Sequence, residues 1–142
     1  MTPANPAARP TGLHEKLLSE SPDDPALLNN LALLYQQTGA SSQALEYARK
    51  AYQLAPQQIP ILDTLGWVLV QQGEVARGLR YLREAQARSL KEPQINYHLG
   101  AALTHLGRRE EARQFLEVAL QAGKRFEGAD EAQVLLQQLS TH

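Results

Sequence analysis

The chain has 142 residues, about the length of one ordinary domain, of which 43% are hydrophobic and 20% charged. Its 14 Lys and Arg against 15 Asp and Glu leave it near neutral, which argues against a general nucleic-acid binder, because that needs a basic field to displace counterions. Zero cysteines exclude a disulfide frame, a thiolate nucleophile and Cys-ligated zinc, and no apolar run approaches the ~20 residues that span a bilayer.

Residues 1–12 hold Pro3, Pro6, Pro10 and Gly12 with no apolar periodicity, so a disordered N-terminal segment is expected there. No apolar core follows Met1, as a signal peptide would require. Residues 13–24 read as a short helix with Leu13, Leu17 and Leu18, then the turn Ser21-Pro22-Asp23-Asp24.

From residue 25 onward the same residue types recur every 34 positions. Leu31, Leu65 and Leu99 form one column; Ala32, Gly66 and Gly100 the next; Gly39, Gly73 and Gly107 another. Ala44, Gly78 and Ala112, then Tyr47, Tyr81 and Phe115, then Ala51, Ala85 and Ala119 complete the set. The copies run 25–58, 59–92 and 93–126. Each predicts two helices. Pro25, Pro60 and Pro93 stand in the first turn of the first helix, where a missing N–H is harmless. The glycine column follows, suited to a left-handed helix end. A second helix is expected from Ser41 or Ser42 to before Pro56, with Ala44, Leu45, Ala48, Ala51 and Tyr52 inward. Small residues at 32, 66 and 100 and at 44, 78 and 112 let two helices approach closely. Residues 127–142 predict a C-terminal capping helix, with Ala132, Leu135, Leu136 and Leu139 inward and Glu131, Gln133, Gln137 and Gln138 outside. Pro22 lies 34 residues before Pro56, so residues 13–24 read either as a cap or as the stump of an earlier repeat.

These residues resemble the tetratricopeptide repeat (TPR), whose signature is W-x2-L-G-x2-Y, then A-x3-F, then P. The matching stretches are Leu28-Asn-Asn-Leu31-Ala32-Leu-Leu-Tyr35, Leu62-Asp-Thr-Leu65-Gly66-Trp-Val-Leu69 and Asn96-Tyr-His-Leu99-Gly100-Ala-Ala-Leu103. No copy has the tryptophan, Asn96 is polar at that column, and the final proline survives only as Pro56. The resemblance implies an all-α fold: a right-handed superhelical stack of three helix-turn-helix repeats closed by the C-terminal helix. It further implies that the first helices line a concave groove. The positions so carried over are Asn29, Leu33, Gln36 and Gln37 from the first copy; Asp63, Trp67, Val70 and Gln71 from the second; and Tyr97, Ala101, Thr104 and His105 from the third.

The charges sharpen this expectation. The three first helices hold one formal charge, Asp63, so the implied groove is read as uncharged, amide-rich and partly aromatic. Lys and Arg are missing from these helices, so the carboxylate clamp of some TPR proteins is expected to be absent. Trp67 is the residue singled out: an anchor for a ligand, or a packing partner for Tyr97 of the next copy. Arg77, Arg80, Arg83, Glu84 and Arg88 crowd one second helix and read as a solvated face, with Arg80–Glu84 and Glu84–Arg88 at ion-pair spacing.

Catalytic and metal constellations are missing from the pattern. Gly73-x4-Gly78 is followed by Leu79-Arg80 rather than Lys-Ser/Thr, so it is no phosphate loop. His98 and His105 stand about 10.5 Å apart along a helix, too far to share an ion. Glu110-Glu111 reads as favourable charge at a helix start. The expectation is a non-catalytic interaction module without metal or cofactor, binding a protein or peptide, with neither nucleic acid nor membrane insertion. The alternative is a structural or self-associating segment of a longer array. A finer likeness, carried by Ile61-Leu-Asp-Thr-Leu-Gly-Trp-Val-Leu-Val-Gln-Gln-Gly73 and by Gly123-Lys-Arg-Phe-Glu-Gly128, is to the C-terminal end of bacterial TPR lipoproteins of exosortase and exopolysaccharide-export systems. It implies a cell-envelope setting; the residues themselves fit cytoplasm or periplasm equally.

Overall fold

The computed structural model describes residues 12–123 and 125–141, and among them it holds eight helices and no strand. They are α1 (Gly12–Glu20), α2 (Pro25–Gln37), α3 (Ser41–Leu54), α4 (Ile59–Gln71), α5 (Val75–Arg88), α6 (Pro93–His105), α7 (Arg109–Gln121) and α8 (Ala129–Ser140). The starts of α2, α4 and α6 are 34 residues apart, as are those of α3, α5 and α7, so the sequence period is a structural one. Residues 1–11 lie outside the described residues, and with them all of the segment expected to be disordered except Gly12, which opens α1. None of the described helices is long and apolar enough to cross a membrane.

Local chemistry explains the element ends. Asp24 caps α2, its carboxylate accepting from the N–H groups of Ala26 at 3.0 Å and Leu27 at 3.3 Å. Gly39, Gly73 and Gly107 close the first helices with φ of +86°, +91° and +76°. In each case the next residue donates back five positions, as Glu74 N–H does to Leu69 C=O at 2.9 Å, which satisfies carbonyls the helix end would leave open.

Within a hairpin the small columns set the helix separation. A Cβ at Gly66 would stand 2.8 Å from Leu82 Cγ, and one at Gly78 would stand 2.5 Å from the Gly66 carbonyl. Around these contacts Leu62, Leu65, Leu69, Leu82, Leu99, Leu103 and Leu116 are fully buried. Asn96, polar where the repeat pattern wants an aromatic, is also fully buried. Its Nδ2 donates to Leu90 C=O at 3.0 Å and Glu92 C=O at 2.9 Å, so it holds the α5–α6 turn instead of filling the core.

Helix α8 occupies the place that a first helix takes in each of the preceding hairpins. Positions 34 after Leu99, Gly100 and Leu103, which face a second helix, are Gln133, Val134 and Gln137. Its opposite side buries Ala129, Ala132 and Leu139, and Arg109 donates to the Leu139 carbonyl at 3.1 Å. Outside the stack, Arg88 pairs with Glu84 at 3.5 Å and Arg83 with Glu111 of α7 at 2.9 Å. The expected Arg80–Glu84 pair does not form, because Glu84 turns to Arg88.

Candidate binding hollow

Helices α2, α4, α6 and α8 together bound two adjoining hollows, of about 850 Å³ and 370 Å³, that share Gln36, Trp67, Gln71, Tyr97 and Glu131. Of the positions named from the sequence, Asn29, Leu33, Gln37 and Asp63 line the smaller hollow and Val70, Ala101 and His105 the larger; Gln36, Trp67, Gln71 and Tyr97 line both. Thr104 lines neither, its hydroxyl donating to the Gly100 carbonyl at 2.7 Å.

The floor is aromatic. The partly buried Trp67 indole lies face to face on the His98 imidazole, with ring centroids 4.0 Å apart and planes within 15°. Tyr97 stands 5.6 Å from Trp67 at 55°. Trp67 therefore packs against Tyr97 and lines the hollow at once. Beneath it, His98 Nδ1–H donates to the Asp63 carboxylate at 2.7 Å; an ionised carboxylate only accepts, so the proton sits on Nδ1. His98 is buried and Asp63 largely so, 6% and 13% exposed, and the contact ties α6 to α4.

The expectation of an uncharged groove needs correction. The first helices of the three copies do bring one charge, but the entry to α8 and its first turns add Glu127, Asp130 and Glu131 to the lining, while among the described residues no Lys or Arg lines either hollow. Glu131 and Gln138, expected on the outer side of the last helix, line the hollow. Glu127 Oε1 also accepts from Gln37 Nε2 at 3.3 Å, so the chain before α8 reaches across to the end of α2. Gly128 fits because it has no side chain: its φ is +99°, and a Cβ there would stand 2.6 Å from the Tyr97 ring. The missed residues carry a legible signal, since Glu131, Leu135 and Gln138 lie 34 positions after Tyr97, Ala101 and Thr104. Asn29 is 8% exposed, and its Oδ1 has no hydrogen-bond partner.

Burial first, and the charge of Glu131 second, push the Tyr97 phenol above its ordinary value near 10. A folded-state value above the unfolded one makes this contribution to stability complete below pH ~10 and lost as pH rises through the Tyr97 value. An ultraviolet difference titration against Tyr97→Phe is expected to show late ionisation. Glu131→Gln brings it down only in part, because burial, the larger cause, remains; an unchanged titration in Glu131→Gln would separate that carboxylate from the phenol.

Among the described residues no group of three His, Asp or Glu is placed to hold a metal ion. The geometry is that of an open, concave, aromatic and acidic surface on a stack of equal helical hairpins, which defines a helical-repeat interaction protein. A family model described as "Tetratricopeptide repeat" matches residues 9–133, and the chain belongs to that family. The fold is similar to that of TTC0263, a thermophilic TPR protein of Thermus thermophilus, at 24% identity and a TM-score of 0.75, over 89% of this chain and 69% of that one. It is also similar to the Yersinia enterocolitica type III secretion chaperone SycD in complex with a peptide of the translocator YopD, at 17% identity and 0.68, over 92% and 98%. A third is the first TPR of Spaghetti (RPAP3) bound to the HSP90 peptide SRMEEVD, at 19% identity and 0.72, over 82% and 90%. At these identities the likeness concerns the fold. No curated protein matches the sequence. The finer likeness to exosortase-associated lipoproteins gains no support from these structures.

Proposed function

We propose that the chain is a non-catalytic scaffold that holds a peptide or an extended segment of a partner protein in the hollow between α2, α4, α6 and α8. Trp67 carries this reading: a large aromatic, partly open, at the centre of both hollows and backed by a buried His98–Asp63 pair that fixes its plane. A rigid aromatic in a concave surface offers contact area at little entropic cost, and amides beside it, such as Gln36 and Gln71, supply donors and acceptors to a peptide backbone. Peptide complexes of SycD and RPAP3 support the reading as precedents for the fold. The acidic peptide SRMEEVD of the second is a poor guide to the ligand, because among the described residues no Lys or Arg lines this hollow. The buried Asp63–His98 pair resembles part of a catalytic relay, but the indole covers the imidazole face, and we read it as structural.

The test is selection of peptides from a displayed random library on the protein, followed by affinity measurement through Trp67 emission and by calorimetry. Trp67→Ala is expected to weaken the selected peptides about 30-fold, the equivalent of about 2 kcal/mol. Selected peptides that bind Trp67→Ala as well as the wild type would place recognition elsewhere and end this reading.

A further inference from the structure

The hollow carries information about the chemistry of its occupant, which rests on the reading that the hollow is the binding surface. Its lining has Glu127, Asp130 and Glu131, and among the described residues no Lys or Arg lines it. Arg125, two residues before Glu127, is exposed and lies outside the lining. Six of the arginines, at 77, 80, 83, 88, 109 and 113, stand on α5 and α7, helices that contribute only Val75, at the start of α5, to the lining. A concave wall of one sign focuses the field, so the hollow is a region of negative potential on a chain that is near neutral overall. The raised phenol of Tyr97, pushed in part by Glu131, is an internal sign of that potential.

Two further features point to the same partner. Trp67 and Tyr97 line the hollow together with these carboxylates, and an aromatic face next to carboxylates attracts a cation that it can partly desolvate. Glu127 meanwhile accepts a long, exposed contact from Gln37, which a charged donor would replace with a stronger one.

We propose that the occupant is a basic segment of a partner protein, with a lysine or arginine side chain laid against Trp67 and Tyr97 and its charged head among Glu127, Asp130 and Glu131. A basic segment satisfies the carboxylates and the aromatic faces together. An acidic segment meets the like charge of Asp63, Glu127, Asp130 and Glu131, and a purely apolar one leaves those carboxylates partly desolvated without compensation.

The experiment uses peptides selected from the displayed random library, resynthesised with each Lys replaced by norleucine and each Arg by citrulline. Enrichment in Lys and Arg is expected, with about a ten-fold or greater loss of affinity on neutralisation and a comparable loss on the triple variant Glu127→Gln, Asp130→Asn, Glu131→Gln. Binding is also expected to weaken with added salt. These three changes touch exposed carboxylates, and far-UV circular dichroism checks that the fold is retained. Peptides that depend on Trp67 yet lack Lys and Arg, or bind equally after neutralisation, would overturn the basic-segment inference and leave the scaffold standing. Peptides indifferent to Trp67→Ala would remove both.

Discussion

His98→Ala is expected to destabilise the chain by about 3 kcal/mol, more than any other single change at the hollow. The imidazole donates to Asp63 at 2.7 Å and supports the whole face of Trp67 at a 4.0 Å ring separation. Removing it strands a carboxylate that is 13% exposed, and opens space under the indole. Breaking a buried pair by taking away one partner costs more than the pair contributes, because the remaining carboxylate loses its donor without regaining full hydration. Asp63→Asn is the control. It keeps an acceptor for Nδ1–H and leaves no charge behind, so a cost of about 1 kcal/mol or less is expected. Urea unfolding followed by Trp67 emission and by circular dichroism measures both. Equal costs for the two variants would show that the contact is a neutral hydrogen bond with no buried charge at stake. Since α4 and α6 belong to successive repeats, the loss should also loosen their stacking at the centre of the hollow.

Gly78→Ala is expected to lower stability by about 2 kcal/mol, or the thermal midpoint by about 6–10 °C. A Cβ there meets the Gly66 carbonyl at 2.5 Å and Val70 Cγ2 at 2.7 Å, so α4 and α5 have to separate. Overpacking of this kind costs up to about 3 kcal/mol, and the better helix propensity of alanine returns about 1 kcal/mol. The other copies bound the effect: they carry Ala44 and Ala112 in the same column, so the hairpin accepts alanine when its helices stand slightly further apart. Gly73→Ala offers a contrast, since nothing lies within 4 Å of its Cβ and only its φ of +91° is penalised. Its cost is expected to be about 1 kcal/mol. Differential scanning calorimetry distinguishes the two; a midpoint for Gly78→Ala equal to that of wild type would mean the hairpin relaxes freely.

The repeat made the architecture legible before any coordinates. Three in-register copies give helix boundaries, because Pro25, Pro60 and Pro93 open first helices and Gly39, Gly73 and Gly107 close them. They also give the core, because Leu31, Leu65 and Leu99 recur on one face. The groove positions of the first helices came instead from what the family resemblance implies; Thr104, one of them, lines neither hollow, and its hydroxyl has a nearer acceptor in its own helix. Continued one step further, the period reaches Glu131, Leu135 and Gln138, though the residue types there no longer resemble the earlier columns.

What the linear pattern determined, then, is the set of local choices: where helices begin and end, which residues are too small to hold two helices apart, and where the first helices put their charge. Tertiary structure alone decided the character of the hollow. The stacking of His98 on Trp67, its bond to Asp63 35 positions away, and the carboxylates that the α8 segment brings opposite Asp63 all depend on how successive hairpins are rotated against each other. That rotation is set by the sum of many small packing contacts between repeats. No single residue or spacing encodes it, so a wall that reads as neutral along the chain becomes acidic once the helices meet.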